Sequence, residues 1–213
     1  MPISRLLIAV FAAPLLASCA TAYYRALETV GVEKRDILVD RVEDARDSQS
    51  DAKEQFTSAL DRYRSVVNVD GGELEQIYDR LAGELERSEA RAQAVEERVT
   101  AVESVAEDLF DEWESEIGQY ADPELRRQSQ RLLTGTRADY RRLITAMRRA
   151  DAAMDPVLTL FRDQVLFLRH NLNARAIGSL ETELADLERA TASLIREMER
   201  SIEEASRFID ALA

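Results

Sequence analysis

Glycine and proline are scarce, seven and four in 213 residues. A chain with so few turn-making residues favours long uninterrupted helices over a sheet. Aromatics make up only 6%, so few bulky side chains exist to fill a thick globular core. A single cysteine cannot form a disulfide within the chain, and a single histidine beside it cannot complete a zinc site. Lysine is almost absent, with Lys34 and Lys53 the only two. What is abundant is charge. Charged residues make up 32%, with 41 acids against 28 Lys and Arg, for a formal net charge of −13. A polyanion of this size does not hold nucleic acid by backbone electrostatics, because phosphate repels it.

The first residues read MPISRLLIAVFAAPLLASCA. Arg5 is the only charge before Cys19, and the apolar run from Leu6 to Leu16 is too short for a bilayer span of about 20 residues. A short basic end, an apolar stretch and then small residues make the layout of a secretory signal. Leu16-Ala17-Ser18-Cys19 resembles the bacterial lipobox. That resemblance implies cleavage before Cys19, a diacylglycerol on its thiol and an acylated new amine. Several acyl chains hold far better than one, since each buried methylene contributes roughly 0.8 kcal/mol. The alternative is a buried free cysteine in an ordinary helix. Ala20, where lipoproteins kept at the inner membrane commonly carry Asp, implies the periplasmic face of the outer membrane of a Gram-negative cell. The expectation is a signal peptide over 1–18 and a mature chain over 19–213. Loss of Arg5 would take the net charge from −13 to −14.

The rest of the chain carries heptads. Leu38, Val42, Ala45, Gln49, Ala52, Phe56, Ala59, Tyr63 and Val66 alternate spacings of four and three, the seam of a helix packed in coiled-coil manner. A turn is expected at Val67 to Gly72. A second seam runs from Leu74 through Leu81, Val95 and Val102 to Trp113, Ile117 and Tyr120. It stops before Asp122-Pro123, a good N-cap followed by a good first helical residue. The third seam includes Leu125, Ser129, Leu132, Tyr140, Leu143, Met147, Met154, Val157, Phe161, Val165 and Leu168. Pro156 lies inside it without breaking the apolar phase, which predicts a kink. The fourth, from Ile177 and Leu180 to Phe208 and Leu212, is out of phase with the third. A turn at Asn171 to Ala174 accounts for the mismatch, with one continuous stuttering helix as the alternative. Helices over about 21–67, 72–120, 123–171 and 174–212 predict an all-α fold. The expected form is a single elongated antiparallel up-down bundle of about four long helices.

Several stretches resemble one family, domain of unknown function 2959. They are YRALETVGVEKRDIL from Tyr24, DGGEL from Asp70, DLFDEW from Asp108, PVL from Pro156, and DQVLFLRHNLNA from Asp163. The resemblance covers nearly the whole chain after Cys19. It implies an all-helical bacterial envelope lipoprotein and carries no activity with it. Labels such as DNA-repair ATPase, sometimes given to long helical proteins, do not suit this sequence, which has no G-x-x-x-x-G-K-[ST] loop to cradle phosphates.

Catalytic chemistry finds little support. His170 is the only His and Phe167 sits three residues before it, so the paired Glu-x-x-His motifs of a di-iron bundle are absent. His170 reads as a partner of a helix end. Glu112/Glu116 and Glu203/Glu204 read as solvated helix-surface carboxylates rather than acid–base pairs. Three features remain. Glu33 to Asp36 is either an ion-paired turn or a docking surface. Phe110, Trp113, Ile117 and Tyr120 read as core at a bundle end, or as an exposed partner site. Arg126, Arg127, Arg131, Arg137, Arg141, Arg142, Arg148 and Arg149 form a basic run on the third helix. This run either complements the acidic helices or contacts an anionic envelope polymer, peptidoglycan or lipopolysaccharide.

The expectation is a non-enzymatic, lipid-anchored scaffold, spacer or adaptor for another envelope component, with no cofactor and no metal. The second reading is a binding module for that anionic polymer. Partners would be the membrane through the N-terminal lipid, and another envelope protein or a second copy.

Overall fold

The computed structural model describes residues 34–67, 74–171 and 174–212, and among these every regular element is an α-helix. They are α1 (Lys34–Val67), α2 (Leu74–Ile117), α3 (Pro123–Ala152), α4 (Met154–His170) and α5 (Ala174–Leu212). α3 and α4 together form the third rod of a four-membered bundle. α1 packs on α2 and α5, and the third rod packs on the same two helices, so α1 and the third rod face each other diagonally. Neighbours run antiparallel. Arg98 meets Asp44 and Arg91 meets Asp51, so positions rising along one helix fall along the next. The 44 residues of α2 extend about 66 Å at 1.5 Å per residue. The architecture is the elongated up-down bundle that the heptads predict.

Heptad phase decides what is inside. All nine seam positions of α1 are buried, from Leu38 to Val66. Leu81, Val95, Val99, Val102 and Ala106 do the same on α2, and Leu180, Leu187, Leu194, Met198 and Phe208 on α5. Each fully buried large side chain contributes about 1.5–3 kcal/mol. The layers are thin, since α1 supplies alanine at 45, 52 and 59. Stability is therefore spread along the rod.

The ends of the third rod follow local chemistry. Asp122 is extended (φ −77°, ψ 118°), and its Oδ1 accepts from the backbone N–H of Glu124 at 2.7 Å and of Leu125 at 3.5 Å, with Pro123 opening the helix. The kink expected at Pro156 takes the form of an interruption at Ala153, three residues earlier. Pro156 has no N–H for the carbonyl four residues back, at Ala152, so regular bonding lapses there. Ala153 stays in the right-handed helical region (φ −76°, ψ −12°). The apolar phase runs on through Ala150, Met154, Val157 and Phe161, all buried. α4 ends at His170. Asn171 leaves helical geometry (φ −132°, ψ 55°), and its Nδ2 donates to the Phe167 carbonyl at 3.0 Å. α5 begins at Ala174, so the described residues favour a break there over one continuous helix.

Three assignments of the sequence reading are corrected. Leu125 and Leu132, placed in the third seam, are 50% and 57% exposed, while Leu133 is fully buried. Among the described residues, α5 ends near this level, with Leu212 and Leu132 lining the same groove, so the first turns of α3 have fewer helices beside them than the rest of the rod. With fewer neighbours the buried stripe narrows. Tyr120 is 38% exposed. α2 stops at Ile117, and Gln119 N–H closes a turn on the Glu116 carbonyl at 2.9 Å. Tyr120 therefore lies beyond the helix rather than in its core. The expected signal peptide and lipobox with Cys19, the expected helical stretch 21–33 and, beyond Val67 itself, the turn expected at Val67 to Gly72 lie outside the described residues.

Candidate interaction surfaces

Six of the eight arginines of the basic run are engaged within the protein. Arg148 is the most tightly held. Its guanidinium spans both carboxylate oxygens of Glu103 on α2, and its Nη1 reaches Asp151 at 3.1 Å. Two parallel bonds to one carboxylate make the strong form of this contact. Arg137 pairs with Glu114 on α2, and its guanidinium carbon lies 5.2 Å from the centre of the Phe110 ring. Both therefore complement α2, one of the two roles expected of the run. Nearer the start of α3, Arg127 and Arg131 converge on Glu124, and Arg126 Nη2 donates to the Tyr120 carbonyl at 2.6 Å. Arg142 pairs with Asp139 one turn back.

Arg141 and Arg149 differ. Both are exposed, and among the described residues neither guanidinium has an ion-pair partner. They line a shallow groove of about 380 Å³ between α3 and α5, with Thr145 between them and Arg200 on the opposite wall. Small side chains make the groove, since Ala138 and Ala146 also line it. Arg200 gives its Nη1 to both oxygens of Glu197, at 2.8 and 3.0 Å. The Arg run thus falls into a pinned set, of which Arg137 and Arg148 join α3 to α2, and an unpaired pair that faces solvent.

Ionisation follows these contacts. The hydrogen bond from Arg137 holds the Glu114 carboxyl below its usual range. Burial pushes Asp151 up, and Arg148 opposes that push. Burial also raises the Tyr140 phenol to about 12, with the Glu103 charge adding to it. Tyr63 is raised by burial and then by Glu183, and its hydroxyl donates to the Leu180 carbonyl at 3.1 Å.

The mixed-charge turn near the start of α1 takes part in packing. Lys34 meets Glu112 of α2 at 2.8 Å, and Arg35 lies 3.8 Å from Asp36. In the aromatic cluster Phe110 and Ile117 are buried, and Trp113 is half-buried with its Nε1 donating to Ser129 Oγ at 2.8 Å. Glu203 and Glu204 both pair with Arg207, and exposed His170 closes α4. Sequence reasoning missed Glu84, a buried carboxylate. It accepts from Gln55 at 2.9 Å and Arg87 at 2.8 Å, with Arg62 at 3.7 Å. Its position, three residues after Leu81 and one before Leu85, could have marked it as seam-facing. Reasoning along one helix at a time also missed Arg200, which meets the basic run only across the α3–α5 groove.

Among the described residues, no helix is long and apolar enough to cross a membrane, and no group of three His, Cys, Asp or Glu side chains is arranged to hold a metal ion. No curated protein matches the chain. A family model described as a protein of unknown function, DUF2959, matches residues 23–212. Every described helix falls within that match, and the chain belongs to the DUF2959 family.

Proposed function

We propose that this protein is a non-enzymatic lipoprotein on the periplasmic face of the outer membrane. Its bundle would serve as a rigid spacer or scaffold for another envelope component. One observation carries the reading, a core and a set of cross-helix ion pairs that run the length of the rod. Lys34–Glu112 lies toward one end, Arg98–Asp44, Arg91–Asp51, Arg148–Glu103 and Arg162–Glu89 along the shaft, and Arg64–Glu188 toward the other. A bundle tied at every level resists bending, which a spacer needs and a ligand-gated hinge does not. The lipobox supplies the anchor and the compartment.

Two measurements test this. Labelling with a palmitate analogue should mark the native chain and not Cys19→Ala, and equal labelling would defeat the anchor. Crosslinking in intact envelopes followed by pull-down should return the same envelope protein repeatedly. Recovery of background alone, from correctly anchored protein, would sink the scaffold reading.

A further inference from the structure

Unpaired arginines are costly to gather in one place, since like charges repel. In a chain of net charge −13, partners for them are plentiful, and most arginines of α3 have found one. Arg141 and Arg149 have none among the described residues, although they sit on the same face of α3, eight residues and about 12 Å apart. Between Asp139 and Asp151 the helix carries no acidic residue at all. Across the groove, Arg200 offers a third guanidinium, and Arg196, one turn earlier and exposed, continues the same face of α5. The acids nearby are committed. Glu197 accepts from Arg200, Glu204 from Arg207, and Asp139 from Arg142. Ala138 and Ala146 leave the groove open enough to admit a ligand.

We propose that this α3–α5 groove is a binding site for phosphate groups carried on a polyanionic ligand, held by Arg141 and Arg149 with Arg200 opposite. Planar guanidinium forks match phosphate oxygens in pairs of hydrogen bonds. A tetrahedral phosphate accepts such forks from several directions, so donors converging from two helices suit it. A planar carboxylate is satisfied by one fork. The repeat of unpaired guanidinium groups along α3 favours a ligand with more than one anionic group over a lone ion. This site is independent of the anchor and of the scaffold reading, and can stand if both fall.

The test uses the full chain and four defined probes: linear inorganic polyphosphate, vesicles containing phosphatidylglycerol, vesicles of phosphatidylcholine alone, and polyglutamate. Arg141→Gln/Arg149→Gln is compared with Arg126→Gln/Arg131→Gln, which removes the same charge from the paired start of α3. Circular dichroism confirms that each variant is folded. The native protein should bind polyphosphate, phosphatidylglycerol vesicles or both in a salt-sensitive manner, and the responding probe identifies the source of the phosphate. The Arg141/Arg149 variant should lose about tenfold or more in affinity. Its slope of log affinity against log salt should flatten by about two, roughly one per lost contact. The Arg126/Arg131 variant should lose much less. No salt-sensitive binding to either phosphate probe, equal losses in the two variants, or an Arg141/Arg149 loss as large on polyglutamate or phosphatidylcholine as on the phosphate probes would each overturn the proposal.

Discussion

Arg148 on α3 holds Glu103 on α2 by both carboxylate oxygens, the Nε–Oε1 contact measuring 2.9 Å, while the same guanidinium reaches back to Asp151. One side chain thus links two helices and tunes a third group. Its exposure is moderate, so solvent screens the pair. A double-mutant cycle with Arg148→Met and Glu103→Gln should give a coupling of about 1 kcal/mol or less, shrinking with salt. Arg148→Met should also raise the Asp151 carboxyl further, because Arg148 is what opposes burial there. Asp151 already titrates above its unfolded value, so its ionisation costs stability at neutral pH. That cost is relieved as pH falls through the folded pKa. NMR titration of the carboxyl carbon should move upward in the variant.

The neighbouring leucines of α3 offer the sharpest comparison. Leu133→Ala removes a fully buried side chain and should cost about 2–5 kcal/mol in denaturant unfolding. Leu132→Ala, with more than half its surface in water, should stay within about 0.5 kcal/mol of the native protein. Equal costs would refute the assignment of the buried face.

Gln49 is fully buried on α1, and neither end of its amide has a hydrogen-bond partner. Gln49→Leu should therefore stabilise the bundle, by about 1–3 kcal/mol. Thermal melts and urea midpoints would register the gain. A loss would mean that the amide is satisfied by a buried water.

Alkaline titration probes the tyrosines. Tyr140 is pushed up to about 12, and Tyr63 is raised as well. Both phenols would ionise nearer 10 in the unfolded chain, so above pH 10 the folded state holds more protons than the unfolded one. Stability should fall as pH rises beyond 10. Absorbance near 295 nm should show these phenols titrating late, together with unfolding. Tyr63→Phe, which also removes the bond to Leu180, should cost about 0.5–1.5 kcal/mol at neutral pH.

The helices were legible because heptad phase is a direct image of burial, and because Asp122-Pro123 is a local signal that needs no tertiary partner. Legibility failed where neighbours decide. Leu132 and Leu133 are equally apolar, and which one faces in depends on the helices beside them. The arginines failed in the same way. In sequence they form one basic run, but Arg137 and Arg148 lie over acids of α2 while Arg141 and Arg149 point to the α5 side. Assigning them takes cross-helix register, which no single helix carries. Glu84 escaped notice because a carboxylate reads as surface until Gln55 and Arg87 are placed beside it.

The hydrogen bond from Trp113 Nε1 to Ser129 Oγ joins the last turns of α2 to the first turns of α3. Trp113 is the only tryptophan in the chain, so the protein carries a single indole fluorophore, at one tip of its rod. Its fluorescence reads the closure of that hairpin alone. Circular dichroism averages over all the helices. If the tip frays first, the two signals will part on heating, and the bundle will melt as a zipper from one end rather than as a unit.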